Sequence, residues 1–255
     1  MDMAGRERNQ VKILGVDFFL GTAQQAVDRM GGGGLLVVPA APAFKEVETN
    51  ASYREALLSA DMAIADSAFM VLSWNYLQKD SIPRLSGLEY LRELLSRDEV
   101  RRPGGCVWIM ATDESARRNL AWLASKDIRV PVECVYVSPM YSRQVVDKQL
   151  VELIERLHPH HVIVTIGGGT QERLGLYLKH TLSYLPAIHC IGAAISFLSG
   201  DQVNIPVWAD KLYLGWLFRT IAEPRRHLPR YWKARKLFTL IQRYRDHVPE
   251  PPPVI

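Results

Sequence analysis

An α/β fold is expected: a Rossmann-like, mostly parallel sheet flanked by helices, ending in a basic helical appendage. Three observations point to it. Short apolar runs alternate with segments of helical period as far as residue 192, the pattern of βαβ units around a parallel sheet. The runs are continuously apolar rather than alternating, as strands buried on both faces are. Finally, the charge changes sign along the chain. Residues 211–245 carry ten Lys and Arg against the single acid Glu223, a net +9, whereas residues 1–210 hold 21 basic and 24 acidic side chains, a net −3.

Taken in order, strands are expected at Ile13–Val16, Leu35–Val38, Met62–Ala65, Val107–Ala111, Val132–Val137, Val162–Ile166 and Ile188–Ile191. Gly31–Gly34 precedes a strand without opening a helix, so it fails the context of a dinucleotide fingerprint and reads as a flexible connection. Val146, Leu150, Leu153, Ile154 and Leu157 recur at helical spacing behind Ser142, the expected N-cap. Leu174, Leu178, Leu182 and Leu185 do the same behind Thr170. Beyond Pro206 only helices are expected: Trp208–Ile221, then a turn punctuated by Pro224 and Pro229, then Tyr231–Arg245. On that last helix Ala234, Leu237, Phe238, Ile241 and Tyr244 form an apolar stripe amid Lys233, Arg235, Lys236, Arg243 and Arg245. The expected division is an α/β catalytic domain over 1–205, the helical appendage over 206–248 and a proline-rich disordered tail over 249–255.

Composition narrows the function classes. With 255 residues and 48% apolar side chains, the chain can bury a sizeable core. No apolar run approaches the ~20 residues that cross a bilayer, and the first ten residues have no apolar core of a secretory signal. Cys106, Cys134 and Cys190 are odd in number, far apart and set in apolar runs, so buried thiols are expected. His158, His160 and His161 fit no zinc spacing and read as surface loop histidines. An appendage both basic and aromatic suits anionic headgroups, a diphosphate or nucleic acid; no recognised nucleic-acid motif accompanies it.

Ligands of parallel sheets bind beyond the carboxyl ends of the strands. Three such ends carry suggestive residues: Asp66 and Ser67, the loop Gly167–Glu172, and Gly192 with Ala193. Gly167–Gly169 would let backbone N–H groups approach a phosphate at a helix N-terminus, or make only a tight turn. Asp66 is a candidate base or an N-cap.

In their order and spacing, A-D-S at 65–67, R-L-S-G at 84–87, G-G-G-T-Q-E at 167–172, I-G-A-A-I-S-F-L-S-G at 191–200, P-V-W at 206–208, G-W-L-F-R at 215–219, E-P-R-R at 223–226 and R-Y at 230–231 resemble the WecG/TagA/CpsF family of bacterial glycosyltransferases. The resemblance runs from about residue 11 to residue 238. It implies transfer of a sugar from a UDP-sugar donor to a polyprenyl-diphosphate-linked sugar at the cytoplasmic face of the cell membrane, with inversion and without a metal or other cofactor. By the same resemblance Asp66 is the base. Gly167, Gly168, Thr170, Gln171, Glu172 and Gly192 bind substrate, and Arg219, Arg226 and Arg230 meet diphosphate, with Arg225 as an alternative to Arg226. Expected partners are the two substrates and an anionic membrane surface, not nucleic acid, and the reading leaves room for a homo-oligomer. Stable anchoring usually takes two lipid-directed signals, so reversible, peripheral binding is expected.

The chain also departs from the family pattern. Pro39, Ala40 and Ala41 stand where T-x-N is usual, Ser67 where Gly follows A-D, and Gly169 where a proline precedes the Q-E pair. Ser196 replaces an Asp, Asn204-Ile205-Pro206 replaces R-A-P, and Gly215 replaces a Glu. These losses raise a second reading: a non-catalytic, membrane-associated partner in a polysaccharide assembly complex.

Overall fold

The structure, a computed structural model, describes residues 8–250 apart from 143, 193, 201–219 and 222–223. Its strands are β1 (Gln10–Ile13), β2 (Val16–Phe19), β3 (Gly34–Val37), β4 (Met62–Ile64), β5 (Cys106–Met110), β6 (Val135–Val137), β7 (His161–Val164) and β8 (Ala187–Cys190). They form one sheet in the order β1-β2-β4-β3-β8-β7-β5-β6, antiparallel only between β1 and β2. The helices among the described residues are α1 (Ala23–Met30), α2 (Ala41–Phe44), α3 (Ala51–Leu58), α4 (Ala68–Gln78), α5 (Gly87–Leu94), α6 (Asp98–Arg101), α7 (Asp113–Ala124), α8 (Lys148–Leu157), α9 (Thr170–Thr181), α10 (Ala194–Leu198), α11 (Pro224–Ala234) and α12 (Lys236–Tyr244).

Period-2 alternation sorts the strand side chains into two core layers. Leu35, Val37, Val107, Ile109, Val162 and Val164 pack with α3, α4, α8, α9 and α12 on one face. Leu36, Trp108, Met110 and Ile163 pack with α1, α5 and α7 on the other. Both faces are therefore covered, which is why the strands read as continuous apolar runs. The expected α/β architecture is the observed one.

Several local expectations are corrected. Ile13–Val16 is not a strand but the corner between β1 and β2. Leu14 (φ 51°) and Gly15 (φ 83°) turn the chain, and their N–H groups donate to Arg245 and Asp246 carbonyls at 2.8 and 3.0 Å. The first part of the expected strand at 132–137 is a single 3₁₀ turn, Val132–Cys134. Gly31–Gly34 is a tight turn rather than a flexible connection: a Cβ on Gly33 (φ +87°) would lie 2.2 Å from the Leu185 carbonyl oxygen. Asp147, not Ser142, caps α8, its Oδ1 accepting the Leu150 N–H at 3.0 Å. Of the three clustered histidines only His158 and His160 are exposed. His161 opens β7 and is buried, its polarity met by His189 at 3.1 Å. The three cysteines are free and buried, as expected.

At the C-terminus Pro224 and Pro229 do not break the chain. Pro224–Ala234 is one helix with Pro229 inside it, at the cost of one backbone N–H donor. A step at Arg235 separates α11 from α12. The apolar stripe faces inward: Ala234, Leu237, Leu240 and Ile241 join the core layer shared by β1, β2 and α4. Lys236 pairs with Glu48 at 2.8 Å. Among the described residues no helix is long and apolar enough to cross a membrane. The expected helix over 208–221 lies almost wholly outside the described residues.

Candidate active site

Strand register lines up the candidate residues. Val37 is level with Ala63 on β4 and with Cys190 on β8, and Cys190 with Val164 on β7. Asp66, Ala40, Gly192 and Gly167 thus lie two or three residues beyond a common line, on four adjacent strands β4-β3-β8-β7. Three strand spacings make this shelf roughly 14 Å wide.

At one end, Asp66 sits between two helix N-termini. It is not the N-cap of α4; that is Ser67, whose hydroxyl accepts the Met70 N–H. Asp66 Oδ1 instead accepts the Gly87 N–H at 3.1 Å, at the first residue of α5, and a guanidinium N–H of Arg84 at 2.9 Å. Arg84 also donates to the Asp66 carbonyl. The A-D-S and R-L-S-G motifs are therefore one structural unit. Helix N-termini and Arg favour and orient a carboxylate, and the Asp66 side chain keeps 29% of its surface open.

The middle of α5 is tied to the sheet by a chain of polar side chains that runs from the buried Tyr90 to the exposed Glu99. Tyr90 O–H meets His189 Nδ1 at 2.8 Å, His189 Nε2 meets His161 Nδ1 at 3.1 Å, and His161 Nε2 reaches Glu99 at 3.5 Å. Burial and the neighbouring His161 hold His189 well below the usual imidazole range, so it is neutral. With a Glu99 carboxylate accepting at one end, one set of tautomers serves the whole chain: each group donates toward Glu99.

At the other end of the shelf, Gly169 (φ 89°) turns β7 into α9. Its N–H donates to Glu172 Oε2 at 2.6 Å. Arg173 closes the turn from outside, donating to the Gly169 carbonyl at 2.8 Å, to Thr170 Oγ1 and to the Ser142 carbonyl. Gly167 and Gly168 stay exposed, so the loop is open to a ligand. Gln171 and Glu172 are buried under it. Gln171 Nε2 donates to Glu172 Oε1 at 3.2 Å, while Gln171 Oε1 is buried with no partner among the described residues. When ionised, the Glu172 carboxylate can only accept, which fixes this amide orientation and leaves Oε1 requiring a donor group. A Cβ on Gly192 would lie 3.5 Å from the Gln171 amide, so the end of β8 closes on the same spot.

Burial pushes the Glu172 carboxyl up to about 7, against its hydrogen bonds from backbone, Gln171 and Gly169 and the charge of Arg173. Tyr53, on α3, is buried with its hydroxyl unpartnered among the described residues; burial first, then the charges of Glu172 and Glu46, push its phenol well up. The sequence reading missed Tyr53, which carries no motif, and missed what Arg84 and Arg173 do, although both lie in or beside quoted motifs.

Pro39 and Ala41 are buried at the end of β3 and the start of α2, and Ser196 is buried on α10. Arg219 and Gly215 lie outside the described residues. Arg225 is exposed on α11; Arg226 and Arg230 lie on the same helix, their side chains outside the described part. Among the described residues, no group of three or more His, Cys, Asp or Glu side chains is placed to hold a metal.

A mostly parallel α/β sheet whose strand ends carry a held carboxylate, a glycine-rich helix entry and a buried amide oxygen without a partner among the described residues has the features of a polar-ligand site at its carboxyl edge. The chain belongs to the glycosyl transferase WecG/TagA/CpsF family, whose family model matches residues 11–248. Membership supports a glycosyltransferase role in cell-envelope polysaccharide synthesis. A search of curated proteins finds no match.

Proposed function

We propose that the chain is an inverting, metal-independent hexosyltransferase that moves a sugar from a UDP-sugar to a polyprenyl-diphosphate-linked sugar, working peripherally at the cytoplasmic face of the bacterial cell membrane. The observation that carries this reading is Asp66, oriented at a strand end by Arg84 and the α5 N-terminus in a chain of this family.

With Oδ1 occupied by those two donors, Asp66 uses Oδ2 to take the proton of the acceptor hydroxyl. The hydroxyl oxygen bonds to the anomeric carbon from the side opposite UDP. The bond from that carbon to the phosphate oxygen breaks, and UDP departs with the electron pair. Its diphosphate charge is met by N–H groups of the Gly167, Gly168 and Thr170 loop and by Arg219, Arg226 and Arg230, or Arg225 in place of Arg226. Gln171 Oε1, fixed by Glu172, accepts a hydrogen bond from the donor sugar rather than binding phosphate oxygen, and Gly192 leaves room beside it. The exposed cations of α11 and α12 suit anionic headgroups.

Assay of UDP release over a panel of UDP-sugars with a lipid-diphosphate-sugar acceptor tests the reading. Acceptor-dependent release is expected. The apolar residues Pro39 and Ala41 favour the second reading, a non-catalytic assembly partner, and no release with any donor would establish it over the first.

A further inference from the structure

On the side facing α5, Asp66 is held by one peptide group. The Gly87 N–H donates to Asp66 Oδ1 at 3.1 Å, and the carbonyl of the same peptide unit, that of Ser86, accepts the Tyr90 N–H at 2.9 Å. Ser86 also caps the helix, its hydroxyl accepting the Glu89 N–H. Gly87 is the first helical residue, so its N–H has no acceptor inside the helix and is left for the carboxylate. The approach is close: a Cβ on Gly87 would lie 3.4 Å from Val38 Cγ1 and 3.9 Å from Asp66 Cγ. With Arg84, this peptide sets the direction in which Oδ2 points.

Tyr90, whose N–H holds that peptide, is itself tied to the sheet. Its hydroxyl meets His189 Nδ1 at 2.8 Å, and His189 Nε2 meets His161 Nδ1 at 3.1 Å. His189 lies on β8, between β3 and β7. Tyr90 and His189 are both fully buried, so each depends on the other rather than on water for its hydrogen bond. Around them the layer is apolar: Leu36, Trp108, Met110 and Ile163. Apolar side chains alone would fill this space, but contacts of that kind let a helix slide or turn by small amounts. A satisfied polar link fixes one arrangement.

We propose that Tyr90 and His189 are positioning residues for Asp66: their hydrogen bond, backed by His161, fixes the first turn of α5 so that the Gly87 N–H holds Oδ1 and Oδ2 is left for the acceptor hydroxyl. The effect on rate rests on the transferase reading above; the hold on Asp66 is read without turnover.

Tyr90→Phe, His189→Leu and His189→Asn, each in the full-length protein, test it by steady-state UDP release and by NMR of the Gly87 amide. Tyr90→Phe removes the hydroxyl and keeps the ring. Leucine fills the space of the imidazole without an acceptor, whereas asparagine is smaller but keeps one close to the position of Nδ1. Tyr90→Phe and His189→Leu should lower kcat about tenfold or more, with KM for both substrates within about twofold of the parent. His189→Asn should stay within about threefold of the parent rate. The Gly87 amide proton, shifted downfield by its carboxylate acceptor, should move upfield and exchange faster in the first two variants and not in the third. If Tyr90→Phe melts early, the His189 pair carries the test. A role in packing alone predicts the opposite order, leucine tolerated and asparagine damaging, and that order overturns the proposal. So does a Gly87 amide unmoved by Tyr90→Phe. A Gly87 amide that responds as expected in a protein silent with every UDP-sugar keeps the hold on Asp66 and removes the transferase reading. Turnover indifferent to all of these changes does the reverse.

Discussion

Buried polar side chains carry most of the chemical argument. Glu172 is wholly buried, and its carboxyl is pushed up to about 7 by that burial. Its folded value lies above the unfolded one, so between the ordinary carboxylate range and about 7 the folded protein holds a proton that the unfolded chain releases. Stability should therefore fall as pH rises through that window. Glu172→Gln should flatten the dependence, as urea midpoints at pH 5 and pH 8 would show; an unaltered slope would assign it to another group. The apolar positions Pro39 and Ala41, with the buried Ser196, bear on selectivity. Sites built around a given hydroxyl or N–H can reject analogues by ~10,000-fold, whereas apolar pockets discriminate far less. UDP-glucose should serve at least as well as an N-acetylated donor in direct competition, and a strong preference for UDP-N-acetylmannosamine would refute that. Asp66, Gln171 and Glu172 were legible in sequence because motif order marked them. Their surroundings were not: Arg84 is 18 positions from Asp66, and Tyr53 comes within electrostatic reach of Glu172 only because α3 packs on α9.

Element by element, what could be read was whatever burial alone determines. β3, β5, β7 and β8 are covered on both faces, and their apolar runs announced them. The β1–β2 corner was hidden because Leu14 is itself apolar and buried; the left-handed φ of Leu14 and Gly15 separates the two strands. The start of α8 was misplaced for a tertiary reason. Asp147 caps the helix while also accepting from the Tyr136 and Tyr141 hydroxyls, at 2.8 and 2.6 Å, contacts that no local pattern contains. α12 was recognised as amphipathic, but its stripe faces the body and includes Leu240, which periodicity had left out. Leu237→Ala should therefore cost about 2–5 kcal/mol of stability, read as a lowered thermal midpoint. A change within ±0.5 kcal/mol would mean that the helix is a surface element.

For the whole molecule, the dominant feature is polarity: a body of net −3 and a C-terminal segment of net +9. With α12 docked, Lys233, Arg235 and Arg243 remain exposed on the outer side, beside the exposed Trp232. Binding to phosphatidylglycerol vesicles should weaken as salt rises, since exposed charges are screened over about 10 Å at 0.1 M. Lys233→Glu/Arg243→Glu should lower it without unfolding the protein; salt-independent binding would point instead to apolar insertion alone. The strand-end shelf and this basic, aromatic face meet along α4, which begins two residues past Asp66 and packs against α12. In the proposed reaction Asp66 takes the proton of the acceptor hydroxyl. The most direct test of that step is the initial rate of acceptor-dependent UDP release by the purified protein and by Asp66→Asn, with folding checked by circular dichroism. The parent should turn over at least one UDP-sugar, and the nearly isosteric variant should be slower by about 100- to 10,000-fold. A folded variant within a few-fold of the parent, or a parent silent with every donor, would contradict the account.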